Sequence, residues 1–137
     1  QPQMRTDLQA RGQQKSNKPD QYLEQKVLSA SPEELTLMLY EGTVKFVKQA
    51  IMFNDEGLIE KTSNAILRTQ AIFDELRATL NTDYEISTNL DSLYEYVNRR
   101  LVEANISKDN SILKEVLELC EEFRDTWKEA MALSKKE

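Results

Sequence analysis

Four long stretches of the chain repeat apolar residues at steps of three and four, and short polar breaks separate them. Steps of three and four place side chains on one face of an α-helix, so each stretch predicts an amphipathic helix. The breaks NDEG, NTD and ISKDN are so short that consecutive helices must run in opposite directions. The sequence therefore predicts an all-α fold, an antiparallel up-down four-helix bundle.

Start and stop signals place the four helices at residues 32–53, 58–80, 85–105 and 111–133. Ser31 precedes Pro32, and Glu34 follows three residues after the serine, which is the pattern of a capping box with proline at the first helical position. Gly57 in the first break can adopt the left-handed conformation that ends a helix.

The chain before the bundle has a different composition. Residues 1–20 are polar, rich in glutamine and hold two of the three prolines, which is typical of a flexible arm or a remnant of expression-vector sequence. The bundle domain is predicted to span residues 21–137. Its first part contains apolar side chains that could form a short helix or an extended clip packed on the bundle: Tyr22, Leu23, Val27 and Leu28.

Composition argues against several classes of function. The chain has no histidine and one cysteine, Cys120, so neither a metal centre nor an acid–base pair is expected, and we predict no enzyme and no cofactor. A net charge of −6 disfavours nucleic acid as a partner. Without a long apolar run or a signal peptide, no membrane insertion is expected and a cytoplasmic location is the default.

The first long helix carries two apolar stripes, although a bundle helix needs only one. One stripe is predicted to face the core: Leu35, Met38, Leu39, Gly42, Phe46, Ala50 and Phe53. Because glycine disfavours a helix, Gly42 suggests close approach of another helix. A second stripe has the spacing of a helix-packing seam and is predicted to bind a partner: Leu37, Tyr40, Val44, Val47 and Ile51.

Periodicity also assigns the remaining core. The second helix is expected to bury Leu58, Thr62, Ala65, Thr69, Ile72, Phe73, Leu76 and Leu80. The third is expected to bury Ile86, Leu90, Leu93, Tyr94, Val97, Leu101 and Ala104. The fourth is expected to bury Ile112, Val116, Leu119, Cys120, Phe123, Trp127 and Ala130. Further partner contacts are predicted at Leu67, Ala71 and Ala78, opposite the second helix's core stripe, and at Tyr96 beside the third helix's core arc.

The second stripe has two interpretations, and both can hold. The amino-terminal clip could cover it within the same chain, or a groove could accept an amphipathic segment of another chain. A clip that leaves when a partner arrives would combine them, since an uncovered apolar row is adhesive in water. A different class of function is a structural protein that forms homo-oligomers through this stripe.

Several segments in the same order resemble the FliS family of flagellar secretion chaperones. They are YLEQKVLSASPEELTLMLYEG at 22–42, TLN at 79–81, NLDSLYEYVNRRLVEAN at 89–105 and FRDTW at 123–127. The resemblance implies a cytoplasmic antiparallel helical bundle without enzymatic activity. It also implies that the protein binds the carboxy-terminal region of flagellin, prevents premature polymerisation and aids delivery to the flagellar export apparatus. It further implies that the amino-terminal segment gives way to the flagellin tail.

Overall fold

The computed structural model describes residues 17–81 and 85–136, and the side chains of residues 21–81 and 87–135. Its helices are α1 Asn17–Ser29, α2 Pro32–Asp55, α3 Ile59–Ala78, α4 Glu85–Ser107 and α5 Asn110–Lys136. The chain divides between Leu35 and Thr36 into two units. The predicted arm lies outside the described residues up to position 16, and α1 begins before its expected end at position 20.

Local signals in the sequence set the ends of the helices. The Glu34 N–H donates to Ser31 Oγ at 3.2 Å and the Ser31 N–H donates to Glu34 Oε1 at 3.4 Å, so the predicted capping box starts α2. Gly57 has φ +75° just beyond α2, as expected for a residue that ends a helix. Lys108 adopts φ 55° after α4, and its N–H donates to the Ala104 carbonyl at 2.7 Å.

Polar bridges show that α3 and α4 are antiparallel. Residue numbers rise along one helix as they fall along the other in three pairs: Ser63 with Asn105 at 2.8 Å, Asp74 with Asn98 at 3.0 Å, and Arg77 with Asp91 at 2.8 Å. Between α4 and α5, Arg100 Nε donates to Glu115 Oε1 at 2.9 Å. The third and fourth predicted helices therefore also turn back on each other.

The fifth helix closes the bundle against α2. At one end Asn54 Nδ2 donates to Asn110 Oδ1 at 2.8 Å, and at the other the rings of Tyr40 and Phe123 stack with centroids 5.7 Å apart. Gly42 lies where α2 meets α3, and a Cβ there would be 3.0 Å from Ile72 Cδ1. The close approach expected at this glycine is confirmed. From Thr36 on, the described helices form the predicted antiparallel four-helix bundle.

The core agrees with the periodicity of α3, α4 and α5 at most positions. Predicted core residues that are buried are Thr62, Ala65, Thr69, Phe73, Leu76, Tyr94, Val97, Leu101, Ala104, Val116 and Cys120. The prediction is wrong for Leu58, Leu93 and Ala130, which are exposed at the margins of their stripes. Ile66 and Leu113 are fully buried but absent from the predicted set, and the side chain of Ile86 lies outside the described part.

Both stripes of α2 contribute to the core, whereas the prediction assigned one stripe to the core and the other to the surface. Tyr40, Val44 and Val47 of the second stripe are buried in the core. The stripe predicted to face the core is half-buried along α3, except that Leu35 is exposed and Ala50 is buried. Helix α2 packs against α3 on one side and α5 on the other, so it needs a broad apolar arc. The centre of this buried arc lies between the two stripes.

Among the described residues, every helix is too short or too polar to cross a bilayer. The same residues contain no group of three or more His, Cys, Asp and Glu side chains that could hold a metal ion.

Candidate partner-binding surfaces

Tyr40 is held in the core by a cluster of aromatic rings. Its hydroxyl is hydrogen-bonded to that of Tyr94, and burial raises the pKa of both phenols. The Phe123 ring contacts both tyrosines, with centroid distances of 5.7 and 5.4 Å, and Trp127 meets Tyr40 at 6.2 Å. A tyrosine with its hydroxyl satisfied inside the bundle is a packing residue.

The second stripe of α2 therefore does not provide the surface predicted for a partner. Tyr40, Val44 and Val47 are buried, so the open groove expected at this stripe is absent from the described surface, and the partner contact predicted for these residues stays a prediction. Leu37 and Ile51 are half-buried at the margin of the same face. The sequence could not distinguish the stripes because both have helical spacing and apolar residues.

Tyr96 is half-buried and links two helices. Its hydroxyl donates to Glu115 Oε1 at 3.2 Å, and the Arg99 guanidinium carbon lies 5.7 Å from its ring centroid. Glu115 also accepts from Arg100 Nε, so the tyrosine belongs to a polar network on the α4–α5 side. The partner contact predicted for Tyr96 stays a prediction.

The predicted contacts on α3 do face outward. Leu67 is 54% exposed, and Ala71 and Ala78 are exposed on the same outer side. Small alanine side chains leave the α3 backbone open to close approach by another helix. Among the partner-binding residues predicted on the long helices, these three are the exposed ones.

An exposed valine of α4 lies level with Leu67. The Ser63–Asn105 and Asp74–Asn98 hydrogen bonds fix the register of the two helices on either side of this level. Leu67 lies one turn beyond Ser63, and Val102 lies one turn beyond Asn98 and is 46% exposed. The two side chains therefore border the same stretch of the contact between α3 and α4.

Two isoleucines extend the apolar surface toward the end of this helix pair. Ile59 starts α3 one turn before Ser63 and is 65% exposed, and Ile106 follows Asn105 in α4 and is 82% exposed. We call the surface formed by Ile59, Leu67, Ala71, Ala78, Val102 and Ile106 the α3–α4 seam. Sequence reasoning missed Ile59, Val102 and Ile106, although their place off the core stripes was a usable signal.

The predicted clip residues lie in α1. Tyr22, Leu23, Val27 and Leu28 are all exposed, and the Tyr22 side chain is 71% accessible. Leu23 and Val27 are four residues apart and so share one side of the helix. A short helix with this much apolar surface is suited to pairing with another apolar surface.

Comparison with known proteins identifies the family. The family model described as flagellar protein FliS matches residues 15–134. The Bacillus subtilis (strain 168) flagellar secretion chaperone FliS is 39% identical over 116 residues, covering 85% of this chain and 87% of that protein. The FliS chaperone of Salmonella typhimurium is 34% identical over 110 residues, which cover 78% of this chain and 82% of that protein.

The fold is shared with a solved structure as well. A crystal structure described as a flagellar chaperone from bacteria superposes with a TM-score of 0.69 at 16% identity, covering 92% of this chain and 98% of that one. The named relatives are flagellar secretion chaperones. This chain belongs to the FliS family of flagellar secretion chaperones.

Proposed function

We propose that this protein is a cytoplasmic, non-enzymatic export chaperone that binds the carboxy-terminal region of flagellin. It keeps flagellin from polymerising before export and aids its delivery to the flagellar export apparatus. Family membership supports the chaperone role. The observation that supports this choice of site is the α3–α4 seam, where Leu67 and Val102 lie exposed at one level and further exposed apolar side chains extend the surface.

The seam suits an amphipathic helix of the bound segment. Leu67 and Val102 supply apolar anchors, while Ala71 and Ala78 leave room for the incoming backbone. Burying apolar surface drives such binding, and ordering a flexible segment opposes it, so affinity depends on a few well-placed anchors. This role requires a flagellin segment that presents apolar residues on one side of a helix.

Helix α1 contains the residues predicted to form the amino-terminal clip. Its exposed Leu23 and Val27 give it the same kind of apolar side that a bound flagellin helix would present. We propose that α1 competes with the flagellin segment. Deleting residues 1–30 should then tighten binding of the segment or promote aggregation of the chaperone, and a deletion that changes neither would remove α1 from the mechanism.

The seam is tested by adding a charge to each of its two sides. In the Leu67→Asp/Val102→Asp variant, loss of two anchors should weaken calorimetric binding of a purified flagellin carboxy-terminal segment by at least about thirtyfold. Both positions are exposed, so the helical circular dichroism should remain. Thr126→Asp/Ser134→Asp at exposed positions of α5 adds the same two charges; it is the matched control and should bind as the wild type does.

Unchanged affinity in the doubly charged variant would rule out the seam as the flagellin site. Sedimentation of the same proteins distinguishes the homo-oligomer alternative. A stable dimer that the Asp substitutions dissociate, and that the flagellin segment leaves intact, would favour a structural protein over a chaperone that holds flagellin.

A further inference from the structure

The charges of this acidic protein are unevenly distributed. Residues 43–54 of α2 and residues 61–73 of α3 contain four cationic side chains and no Asp or Glu, although the whole chain has a net charge of −6. The cations are Lys45, Lys48, Lys61 and Arg68. The antiparallel hairpin brings the two segments together, so a cationic region extends from Lys61 near the turn to Lys45 and Arg68 farther along the hairpin.

Three of these cations lie over aromatic rings where α2 meets α3. The Arg68 guanidinium carbon is 5.5 Å from the centroid of the Phe46 ring, and Lys45 Nζ is 5.6 Å from the same centroid. Lys61 Nζ is 5.7 Å from the centroid of Phe53. We call the surface formed by Lys45, Phe46, Phe53, Lys61 and Arg68 the α2–α3 cationic face.

The face has a defined spacing. Phe46 and Phe53 are seven residues apart in α2, and Lys61 and Arg68 are seven residues apart in α3. Seven residues are two helical turns, a rise of about 10 Å. The Phe46–Arg68 and Phe53–Lys61 contacts therefore have the same spacing as two carboxylates that lie two turns apart on one side of a helix.

These cations form no ion pair within the described part of the chain. The ion pairs there are made by Arg77, Arg99, Arg100 and Arg124, and none includes a cation of this face. Glu41, the acid before Lys45 in α2, acts electrostatically on Arg124 of α5. The cationic face thus retains its charge for an external partner.

We propose that the α2–α3 cationic face docks an acidic helical segment of a partner protein, with carboxylates at positions i and i+7. The surface is separate from the α3–α4 seam, and the inference does not depend on flagellin being the seam's ligand. Cation–aromatic contact restrains Arg68, Lys45 and Lys61 before binding, which lowers the entropic cost of pairing them with carboxylates. The surrounding negative charge disfavours acidic segments elsewhere and so adds specificity.

The test uses a synthetic, fluorescently labelled alanine-rich helical peptide with Glu at i and i+7 of one side. Anisotropy should show salt-sensitive binding to the wild type, and a peptide with Gln at both positions should not bind. Lys45→Gln/Arg68→Gln should weaken binding by about fivefold, because it removes both cations that lie over the Phe46 ring. The matched control, Lys114→Gln/Lys128→Gln on α5, removes the same charge and should bind as the wild type does.

A second variant separates stacking from charge. Phe46→Leu keeps every cation and removes the aromatic ring. It should weaken binding of the Glu peptide, while the helicity of the protein is retained. Equal losses in the two Gln variants, or no binding by the wild type, would overturn the proposal. The proposal would also be overturned if the protein bound phosphatidylserine vesicles more strongly than the peptide, because the face would then bind a membrane. A dimer that forms at low salt and is abolished by Lys45→Gln/Arg68→Gln would overturn it as well, because the face would then bind a second copy of the chain.

Discussion

Truncating Val47 distinguishes the two possible orientations of α2. Val47 is fully buried, so Val47→Ala removes two methyl groups from a closed core. Loss of buried hydrocarbon at about 0.8 kcal/mol per carbon gives about 1.6 kcal/mol. The residual cavity adds to this, and we expect a total near 2–3 kcal/mol in the free energy of unfolding.

Urea unfolding followed by circular dichroism measures this loss. With a slope of about 1–3 kcal/mol per molar urea, the midpoint should fall by about 1 M. The slope itself should stay unchanged, because the substitution alters packing and leaves the extent of unfolding the same. Leu67→Ala, half-exposed on α3, is the comparison and should cost about 0.5 kcal/mol or less.

The reasoning fails if the two variants exchange their effects. A Val47→Ala protein as stable as the wild type, with weakened binding of the flagellin segment, would mean that this stripe faces solvent as the sequence suggested. A Leu67→Ala protein that unfolds at much lower urea would place Leu67 in the core.

Three further predictions follow from buried or paired groups. Tyr40→Phe leaves the Tyr94 hydroxyl without its partner and should lower the free energy of unfolding by about 1–2 kcal/mol. In urea unfolding, the double variant Tyr40→Phe/Tyr94→Phe should lose less stability than the sum of the two single variants. Burial raises the pKa of Cys120 to about 12, so a thiol reagent should label it only as the protein unfolds, and rapid labelling of the native protein would contradict its placement. The hydrogen bond from Arg77 lowers the pKa of Asp91 below its ordinary 3.8, so its stabilising effect is present above that value and is lost as the pH falls through the lowered pKa. Acid titration of stability should therefore be shallower in Asp91→Asn, and identical titrations would refute the pairing.

The sequence predicted the helices well because their signals are local. Ser31, Pro32 and Glu34 start α2 where expected, and Gly57 ends it by taking a positive φ. The α3 stripe from Thr62 to Leu76 was recognisable because most residues on the other side are polar or small, which favours one orientation.

The orientation of α2 could not be predicted in the same way. Its apolar arc serves two neighbours, and Phe46 is as apolar as Val47, so composition gave no reason to prefer one stripe. The deciding contact is between distant residues, the Tyr40 and Tyr94 hydroxyls inside the bundle. The α3–α4 seam likewise depends on register, since nothing local in sequence places Val102 level with Leu67.

The most direct test of the central claim is methyl NMR of the isotopically labelled chaperone titrated with the flagellin carboxy-terminal segment. The account predicts large shifts or broadening at Leu67, Val102 and Ile106, with the buried methyl groups of Val47 and Leu113 much less affected. Perturbation centred on Val47 and Leu113, with the three seam residues unchanged, would contradict it.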